Sequence, residues 1–353
     1  MKNKTKKVVI DGRCIETGKT EGVQRYTTEI LLELDKLVPK EQYELLIRPE
    51  DKRLIDLQNI KKVEIDAQNM TIWRLKVLPY LIKNNALYVH LANGVAIWRN
   101  SIITLHDIYV FYGVYNNTWW YCLKKKWKAM LDAVVAKHIV TVSEFSKQTM
   151  LAKLPLKQEK ISVIYNGWQH IKQIEADENI LKKVKIQPHS YYFFLGRLVY
   201  NKNIRWIFNV ADNNPHDYFV IAGALRKEKF DFYQGKNKNI IYTGFVSDNE
   251  MKALYQNCKA FLFPSFMEGF GIPPMEALYN KVPIIISNTS SLPEIYEDCA
   301  HYIDPMKYDY CLDDLLNEPV ASPQKVLDKY SWEKSAKQWY ELIERYRGDK
   351  NIG

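Results

Sequence analysis

The sequence predicts an α/β protein built from two domains, each with a parallel sheet. Short apolar, strand-like runs alternate with helical stretches along the whole chain, which is the pattern of βαβ units. The length of 353 residues exceeds what a single hydrophobic core fills comfortably, and this favours two domains. Residues 168–188 are polar and lysine-rich with no strand pattern. We therefore expect the domain boundary there.

The first half begins with a basic segment and an apolar run that is too short for a signal peptide, so that run is predicted to be the first strand. Strands are predicted near 7–11, 43–48, 61–66, 87–91, 101–105, 138–142 and 161–165, and helices near 23–37, 71–84, 117–137 and 144–153. These elements form a predicted N-terminal Rossmann-like domain of residues 1–170. A linker is predicted over 171–188.

The second half repeats the alternation and gives a predicted Rossmann-like domain of residues 189–328. Strands are predicted near 191–195, 218–222, 239–243, 260–264, 283–287 and 300–303, and helices near 202–210, 247–257, 273–280, 291–297 and 308–318. The segment 331–346 is amphipathic. We expect residues 329–353, a helix and tail, to pack back toward the N-terminal domain. Since ligands of open α/β sheets bind at the carboxyl ends of the strands, we expect the site in a cleft between the domains.

Composition excludes several classes of protein. No run approaches the ~18 apolar residues of a transmembrane helix. The five cysteines are odd in number and lack Cys-x-x-Cys spacing, which fits a reduced cytosolic protein and predicts neither a zinc site nor a disulfide framework. The chain has no glycine-rich phosphate loop that ends in Lys-Ser or Lys-Thr, so ATP hydrolysis is not expected.

The net charge of +9 is concentrated in one region, because residues 71–170 hold 13 Lys and Arg against 4 Asp and Glu. Such an excess fits a solvated basic face, an anionic membrane surface or nucleic acid. Within it, residues 111–128 join many aromatic side chains to lysines, a combination typical of interfacial helices. We therefore predict docking on the anionic inner leaflet through four lysines: Lys124, Lys125, Lys126 and Lys128.

The segment 260–277 has the strongest functional pattern. A buried strand, Ala260-Phe-Leu-Phe, is followed by the loop Glu268-Gly-Phe-Gly and by a helix that begins near Pro273. Free backbone N–H groups and the helix dipole favour an anionic or strongly polar ligand at such a point. Glycines there allow the backbone to approach the ligand closely. Glu276, about one turn into the helix, is expected to reach back toward the same mouth.

This segment resembles the Glu-x₇-Glu motif of retaining nucleotide-sugar glycosyltransferases with the GT-B fold, the large group 1 family. The resemblance covers the second domain almost continuously, through Lys281-Val-Pro and Ser291-Leu-Pro-Glu to Tyr330-Ser-Trp-Glu. In that family the first glutamate, here Glu268, contacts the donor sugar. The second, here Glu276, contacts the ribose of the nucleotide.

The resemblance implies further site residues. Gly196, Arg197 and Lys202 follow a predicted strand and match a family segment whose Arg and Lys bind the diphosphate. Asn201 stands where that segment commonly has a basic residue. In the first half, His106 matches a family His-Asp and is expected to position donor or acceptor. The expected donor-binding set is completed by Gly22, Gly223, Phe245, Val246, Gly269, Phe270 and Gly271.

The activity implied by the resemblance is the metal-independent, retaining transfer of a hexose from a nucleotide sugar to a saccharide or lipid-linked saccharide. The pattern is most similar to bacterial mannosyl- and rhamnosyltransferases of surface-polysaccharide assembly. No cofactor, no metal and no nucleic-acid partner are expected, and the location is cytoplasmic, with peripheral docking on the inner leaflet. The alternatives are a nucleotide-sugar 2-epimerase, a sugar phosphorylase on the same fold, or a basic nucleic-acid-binding protein.

Overall fold

The computed structural model describes residues 6–15, 22–93, 96–112, 119–223 and 238–348. Within these ranges the chain forms two compact units. The first comprises the described residues up to 111, those between 119 and 167, and 330–348; the second comprises residue 112 and the described part of 168–329. The six residues 113–118, part of the predicted aromatic cluster, lie outside the described residues, as do Thr20 and Glu21.

The sheet of the first unit is parallel throughout, as predicted. Its strands are β1 (Val8–Asp11), β2 (Tyr43–Ile47), β3 (Lys61–Glu64), β4 (Leu87–Asn93), β5 (Ser101–Thr104), β6 (His138–Thr141) and β7 (Ile161–Val163). The strand order is β3-β2-β1-β4-β5-β6-β7. Successive connections run from β1 outward to β3 and then in the opposite direction from β4, so the topological switch point lies between β1 and β4.

Helices cover this sheet through apolar side chains. They are α1 (Gly22–Leu37), α2 (Met70–Asn84), α3 (Trp119–Val135) and α4 (Glu144–Lys153). From α2, the fully buried Trp73 packs in one cluster with Val9 and Tyr88 of the sheet. From α3, Ala133 packs in a second cluster with Ile103. Burial of such side chains removes apolar surface from water and is the main stabilising contribution to the unit.

The second unit contains a second parallel sheet. Its strands are β8 (Tyr191–Leu195), β9 (Tyr218–Ala222), β10 (Ile240–Gly244), β11 (Ala260–Phe263), β12 (Ile284–Ser287) and β13 (His301–Ile303). The order β10-β9-β8-β11-β12-β13 places the switch point between β8 and β11. Two parallel sheets with helices between their strands confirm the predicted fold class.

The helices of the second unit include two that the sequence did not predict. They are α5 (Asn179–Val184), α6 (Ile204–Asn213), α7 (Asp248–Gln256), α8 (Ile272–Tyr279), α9 (Leu292–Tyr296), α10 (Leu312–Asn317) and α11 (Gln324–Lys329). The unpredicted helices are α5 and α11. The first of them, α5, packs against α7 and buries Ile180 and Leu181. The buried Lys252 ammonium donates to the carbonyls of Ile171 at 3.0 Å and Ile174 at 2.5 Å. Part of the predicted linker is therefore held against the second sheet's helices.

The last described helix, α12 (Trp332–Gly348), belongs to the first unit and packs along α1. The Trp339 indole N–H donates to the Tyr26 hydroxyl at 2.8 Å, and both side chains are fully buried. A Cβ atom on Gly167 would lie 2.2 Å from the backbone nitrogen of Trp332, so only glycine fits where α12 begins. Among the described helices, none has the length and apolarity that crossing a membrane requires.

Candidate functional site

Two loops meet at the carboxyl edge of the second sheet, where its topology switches direction. One follows β8 and the other follows β11, and the backbone N–H of Phe266 donates to the carbonyl of Asn201 at 2.8 Å. The Asn201 amide also lies 3.5 Å from the carbonyl oxygen of Met267. Asn201, which replaces the usual basic residue, therefore joins the two loops that carry the predicted phosphate-binding and sugar-binding residues.

Lys202 and Glu268 face each other across these loops. The Lys202 Nζ lies 2.6 Å from Glu268 Oε1, and the two side chains are 19% and 12% exposed. The same ammonium lies 4.8 Å from the centroid of the Phe263 ring, a favourable cation–π contact. Two serines fix the backbone of Glu268: its N–H donates to Ser290 Oγ at 3.1 Å, and Ser291 Oγ donates to its carbonyl at 3.0 Å.

The turn into α8 depends on Gly271. Its φ of +86° lies in the region that favours glycine, and a Cβ atom there would lie 2.9 Å from Leu292 Cδ2. The Tyr296 hydroxyl donates to its carbonyl. The neighbouring Phe270 is only 2% exposed, so its side chain supports the loop from inside.

Glu276 lies in α8 with its carboxylate almost fully buried. Its Oε1 lies 2.8 Å from His170 Nε2, and its Oε2 accepts from the Tyr255 hydroxyl at 2.9 Å. Burial, followed by the adjacent Glu276 charge, raises the pKa of Tyr255 well above its usual value, so the phenol stays protonated and donates. An ionised carboxylate has about four acceptor positions. Both oxygens therefore keep capacity for a further donor such as a ribose hydroxyl.

His170 and Tyr255 were not identified from the sequence. His170 lies in the polar stretch that followed the last predicted strand of the first half, and Tyr255 looked like an ordinary helix residue. The available signal was weak: a histidine shortly after a strand end and a tyrosine on the buried face of α7. Neither sequence pattern distinguishes a residue that hydrogen-bonds to Glu276 from one with a purely structural role.

Three glycines pack closely at the ends of β8, β9 and β10. A Cβ atom on Gly223 would lie 2.0 Å from the carbonyl oxygen of Gly196, and the Gly223 N–H donates to the Gly244 carbonyl at 2.8 Å. After β10, Phe245 is 67% exposed whereas Val246 is 8% exposed. Of these two predicted nucleotide contacts, only the phenyl ring of Phe245 is open to a ligand. Arg197, which follows Gly196 in the chain, is exposed.

His106 lies in the first unit, just after β5. It is 8% exposed, its ring meets the Tyr26 ring edge-on at 4.8 Å, and its backbone N–H donates to Asn93 Oδ1 at 2.9 Å. Burial lowers the pKa of His106 to about 4, so the ring is neutral at pH 7. Gly22, the other predicted residue of this unit, is the first residue of α1, and a Cβ atom there would meet nothing within 4 Å.

One of the four predicted docking lysines, Lys128, already has a partner in the first unit. Lys128 Nζ lies 2.9 Å from Asp132 Oδ2, and the Asp132 carboxylate is fully buried and accepts from the Ala96 N–H at 2.7 Å. Lys128 therefore balances a buried charge inside the first unit. Lys124 and Lys125 are exposed, and Lys126 is half-buried.

No metal-binding cluster is formed by the part of the chain that the structure describes: nowhere in it do three or more His, Cys, Asp or Glu side chains gather closely enough to hold a metal ion.

Comparison with protein families gives two matches, one to each half of the chain. Residues 176–303 match the family described as Glycosyl transferases group 1. Residues 48–169 match the family described as Glycosyltransferase Family 4.

Two curated bacterial proteins are similar in sequence. The O-antigen chain mannosyltransferase RfbU of Salmonella typhimurium is 28% identical over 236 residues, which cover 65% of this chain and 64% of that protein. The serotype-specific mannosyltransferase WbdA of Escherichia coli is 46% identical over 172 residues, covering 45% of this chain and 20% of that protein. The chain thus spans less than two thirds of the length of these relatives.

A solved structure extends the likeness to almost the whole chain. HepE of Anabaena, in complex with UDP and glucose, superposes with a TM-score of 0.73 at 14% identity, covering 97% of this chain and all of that one. An identity this low shows only that the two proteins share a fold. The matched families, the sequence relatives and the shared architecture together show that this chain contains glycosyltransferase domains, with a group 1 domain at residues 176–303, and has the GT-B fold.

Proposed function

We propose that this chain transfers a hexose from a nucleotide sugar to a hydroxyl group of a saccharide or a lipid-linked saccharide. The observation that carries the proposal is the 2.6 Å pair of Lys202 and Glu268 at the switch point of the second sheet. A nucleotide sugar presents a diphosphate beside a polyol. The diphosphate can therefore bind the Lys202 ammonium, and the sugar hydroxyls can donate hydrogen bonds to the Glu268 carboxylate. When the nucleotide sugar binds, these contacts replace the ion pair between the two residues.

Bond cleavage places negative charge on the departing nucleoside diphosphate. Arg197 and Lys202 are the cations proposed to stabilise that charge, because both follow β8 at the same loop. Fixed cations that meet charge as it develops lower the barrier without reorganisation. With the protein's own cations in this role, we propose a metal-independent reaction. We further propose retention of the anomeric configuration, through front-face attack by the acceptor hydroxyl.

The donor sugar is proposed to be mannose, with rhamnose as the second choice. The proposal draws on the motif pattern and on the names of two sequence relatives, both mannosyltransferases. The donor base is to be found by experiment, because the loops proposed to surround it offer mostly backbone groups. The exposed Phe245 ring is proposed to stack on that base.

The test begins with ligand binding. Purified protein is heated with UDP, GDP, dTDP or ADP, and a ligand that binds the native state raises the apparent melting temperature. The mannose and rhamnose derivatives of the stabilising nucleotide are then incubated with saccharide acceptors, and NMR of the product reports the anomeric configuration. Turnover that is unchanged by EDTA with an α-linked product from an α-linked donor supports the proposal. Inversion, or strict dependence on a divalent cation, would contradict it.

An epimerase is separated by the same assay. It would release free sugar from the nucleotide and would not respond to an added acceptor. A transferase consumes donor in proportion to acceptor, and the product contains both sugars.

We also propose that α3 docks on an anionic lipid surface, which would bring the chain to a lipid-linked acceptor. Trp120, Trp127, Leu131 and Val134 are 72%, 66%, 52% and 65% exposed, and their spacing of seven, four and three residues places them on one side of the helix. Exposed lysines adjoin this stripe. A helix with large apolar side chains beside lysines suits the boundary between headgroups and acyl chains.

A further inference from the structure

A pocket opens at the switch point of the first sheet, between β1 and β4. Asp11 is the last residue of β1, and the side chains of Tyr88 and His90 from β4 contact its carboxylate. In an open parallel sheet this is the position where ligands bind. The side chains that line the pocket include Asp11, Arg13, Trp73, Arg74, Tyr88 and His90.

Asp11 lines this pocket, and its carboxylate already accepts several hydrogen bonds. Its carboxylate accepts from the Trp73 indole N–H at 3.2 Å, from the Arg13 backbone N–H at 2.9 Å, and from the Tyr88 hydroxyl. It is 2% exposed. Burial acts to raise the pKa of Asp11, but the adjacent His90 and Arg13 side chains and the hydrogen bonds to the carboxylate hold that pKa below its usual value. Asp11 therefore orders the pocket wall and has little capacity left for a ligand.

Arg13 and Arg74 supply the permanent positive charge of this pocket. In the part of the chain that the structure describes, Arg13 Nη1 is buried and makes no hydrogen bond. Over the described ranges, neither Arg13 nor Arg74 is within ion-pair distance of a carboxylate. Buried polar groups are nearly always satisfied, and a buried donor without a partner costs free energy. A guanidinium in this situation is suited to an anionic oxygen group, which it can bind through two parallel hydrogen bonds.

We propose that Arg13 and Arg74 bind an anionic oxygen group, either a phosphate or a carboxylate, that the acceptor saccharide carries. The assignment to the acceptor rests on the proposed function, in which the donor diphosphate is held by Arg197 and Lys202 of the second unit. The anion that binds the arginines of the first unit would then belong to the acceptor and not to the donor. A charged acceptor would be selected over a neutral one at this pocket.

The test measures anion binding by the full-length protein and needs no turnover. The cations of the second unit are first removed by Arg197→Gln and Lys202→Gln, so that any remaining anion site lies elsewhere. Calorimetry then compares inorganic pyrophosphate, methyl glucuronide and the neutral methyl glucoside. We expect one of the two anions to bind at one site per chain and the neutral sugar not to bind. The anion that binds distinguishes a phosphate-bearing acceptor from a uronate-bearing one.

Substitutions then locate the site. Arg13→Gln and Arg74→Gln should each weaken anion binding at least about tenfold, the loss expected for one charge-assisted hydrogen bond. The exposed Arg53, replaced by glutamine, is the matched control and should change nothing. Arg13→Lys, which keeps the charge, should restore part of the affinity and guards against a folding defect in Arg13→Gln. Binding of neither anion, or equal binding by the two Gln variants and the Arg53 control, would overturn the proposal while leaving the transferase assay unaffected.

Discussion

The Lys202 ammonium and the Glu268 carboxylate form a 2.6 Å ion pair that is only partly open to solvent. The contact holds both side chains in place. Substituting either one leaves the other without its counter-ion, so the two substitutions should have opposite effects on nucleotide affinity.

Glu268→Gln should abolish transfer while it leaves nucleoside diphosphate binding intact or tighter. The Lys202 ammonium would then be free to meet the phosphates without giving up a carboxylate. An ion pair of this kind contributes at most about 1 kcal/mol, which corresponds to up to about fivefold in affinity. Calorimetry measures this, with the exposed Glu178→Gln as the control. A marked loss of nucleotide affinity in Glu268→Gln would show that this acid contacts the nucleotide.

Lys202→Gln should weaken nucleoside diphosphate binding by roughly tenfold or more and lower the turnover rate further. A charge-assisted hydrogen bond is lost, and the Glu268 carboxylate then repels the phosphates. The turnover rate falls beyond the loss of affinity because the negative charge on the leaving group grows in the transition state. Steady-state kinetics and calorimetry with Lys182→Gln as the control separate these effects. Unchanged turnover would remove Lys202 from the mechanism.

Tyr255→Phe should lower the free energy of unfolding by roughly 1.5–3 kcal/mol, because the buried Glu276 carboxylate loses a hydrogen bond from the phenol. Tyr191→Phe is the matched control, since its hydroxyl donates to the neutral carbonyl of Leu254 at 2.9 Å and should cost about 1 kcal/mol. Urea titrations of both variants make the comparison. An equal or smaller effect at Tyr255 would mean that its bond to Glu276 contributes no more than a neutral one.

The first unit should lose stability as the pH falls from about 6.5 toward 4. Burial lowers the pKa of His138 from its usual 6.5 to about 4, so the unfolded chain binds a proton that the folded state does not. His138 thus contributes full stability above pH 6.5, and on the order of 3 kcal/mol is lost near pH 4. His138→Gln should reduce this dependence in urea titrations, leaving the share of the buried His106, whose pKa is also about 4, and the exposed His216→Gln should leave it unchanged. The same dependence of the free energy of unfolding on pH in both variants would contradict the assignment to His138.

Binding to vesicles should require anionic lipid and should weaken as salt rises. Replacing Lys124, Lys125 and Lys126 by glutamine should reduce binding, because each lysine near an anionic surface contributes about 1 kcal/mol. The paired change Trp120→Ala with Trp127→Ala should reduce it as well, since these rings form the apolar stripe. Co-sedimentation measures both, with Lys40, Lys61 and Lys157 replaced by glutamine as the control. Protein that ignores anionic vesicles at low salt would favour an acceptor in solution.

Most strands could be predicted because each is a short apolar run bordered by turn residues, as at β8 and β11. The helix α5 was missed because its sequence, Asn179-Ile-Leu-Lys-Lys-Val, is short and polar overall. Only Ile180 and Leu181 indicate its buried side, and two residues do not establish a helical period.

Site residues that are close together in the sequence could be predicted. Contacts between residues that are far apart in the sequence could not. Glu268 and Glu276 share one motif. The partners of Glu276, by contrast, lie 106 and 21 residues away. Lys128 and Asp132 are four apart on α3, so this pairing was open to prediction. The pocket arginines were overlooked because Arg13 follows a strand without any motif and Arg74 lies far along the chain.

The first unit combines two segments that are synthesised at different times, one that ends at residue 167 and one that begins at residue 330. Its sheet and α1 are complete before residue 168 is added, whereas α12 is made only after residue 329. At ~5–20 residues per second, the buried face around Tyr26 lacks its Trp339 partner for roughly ten seconds or more. Contacts between such distant segments also slow folding. We therefore expect the second unit, which is continuous from residue 168 to residue 329 apart from its small first piece, to reach its native state first during synthesis.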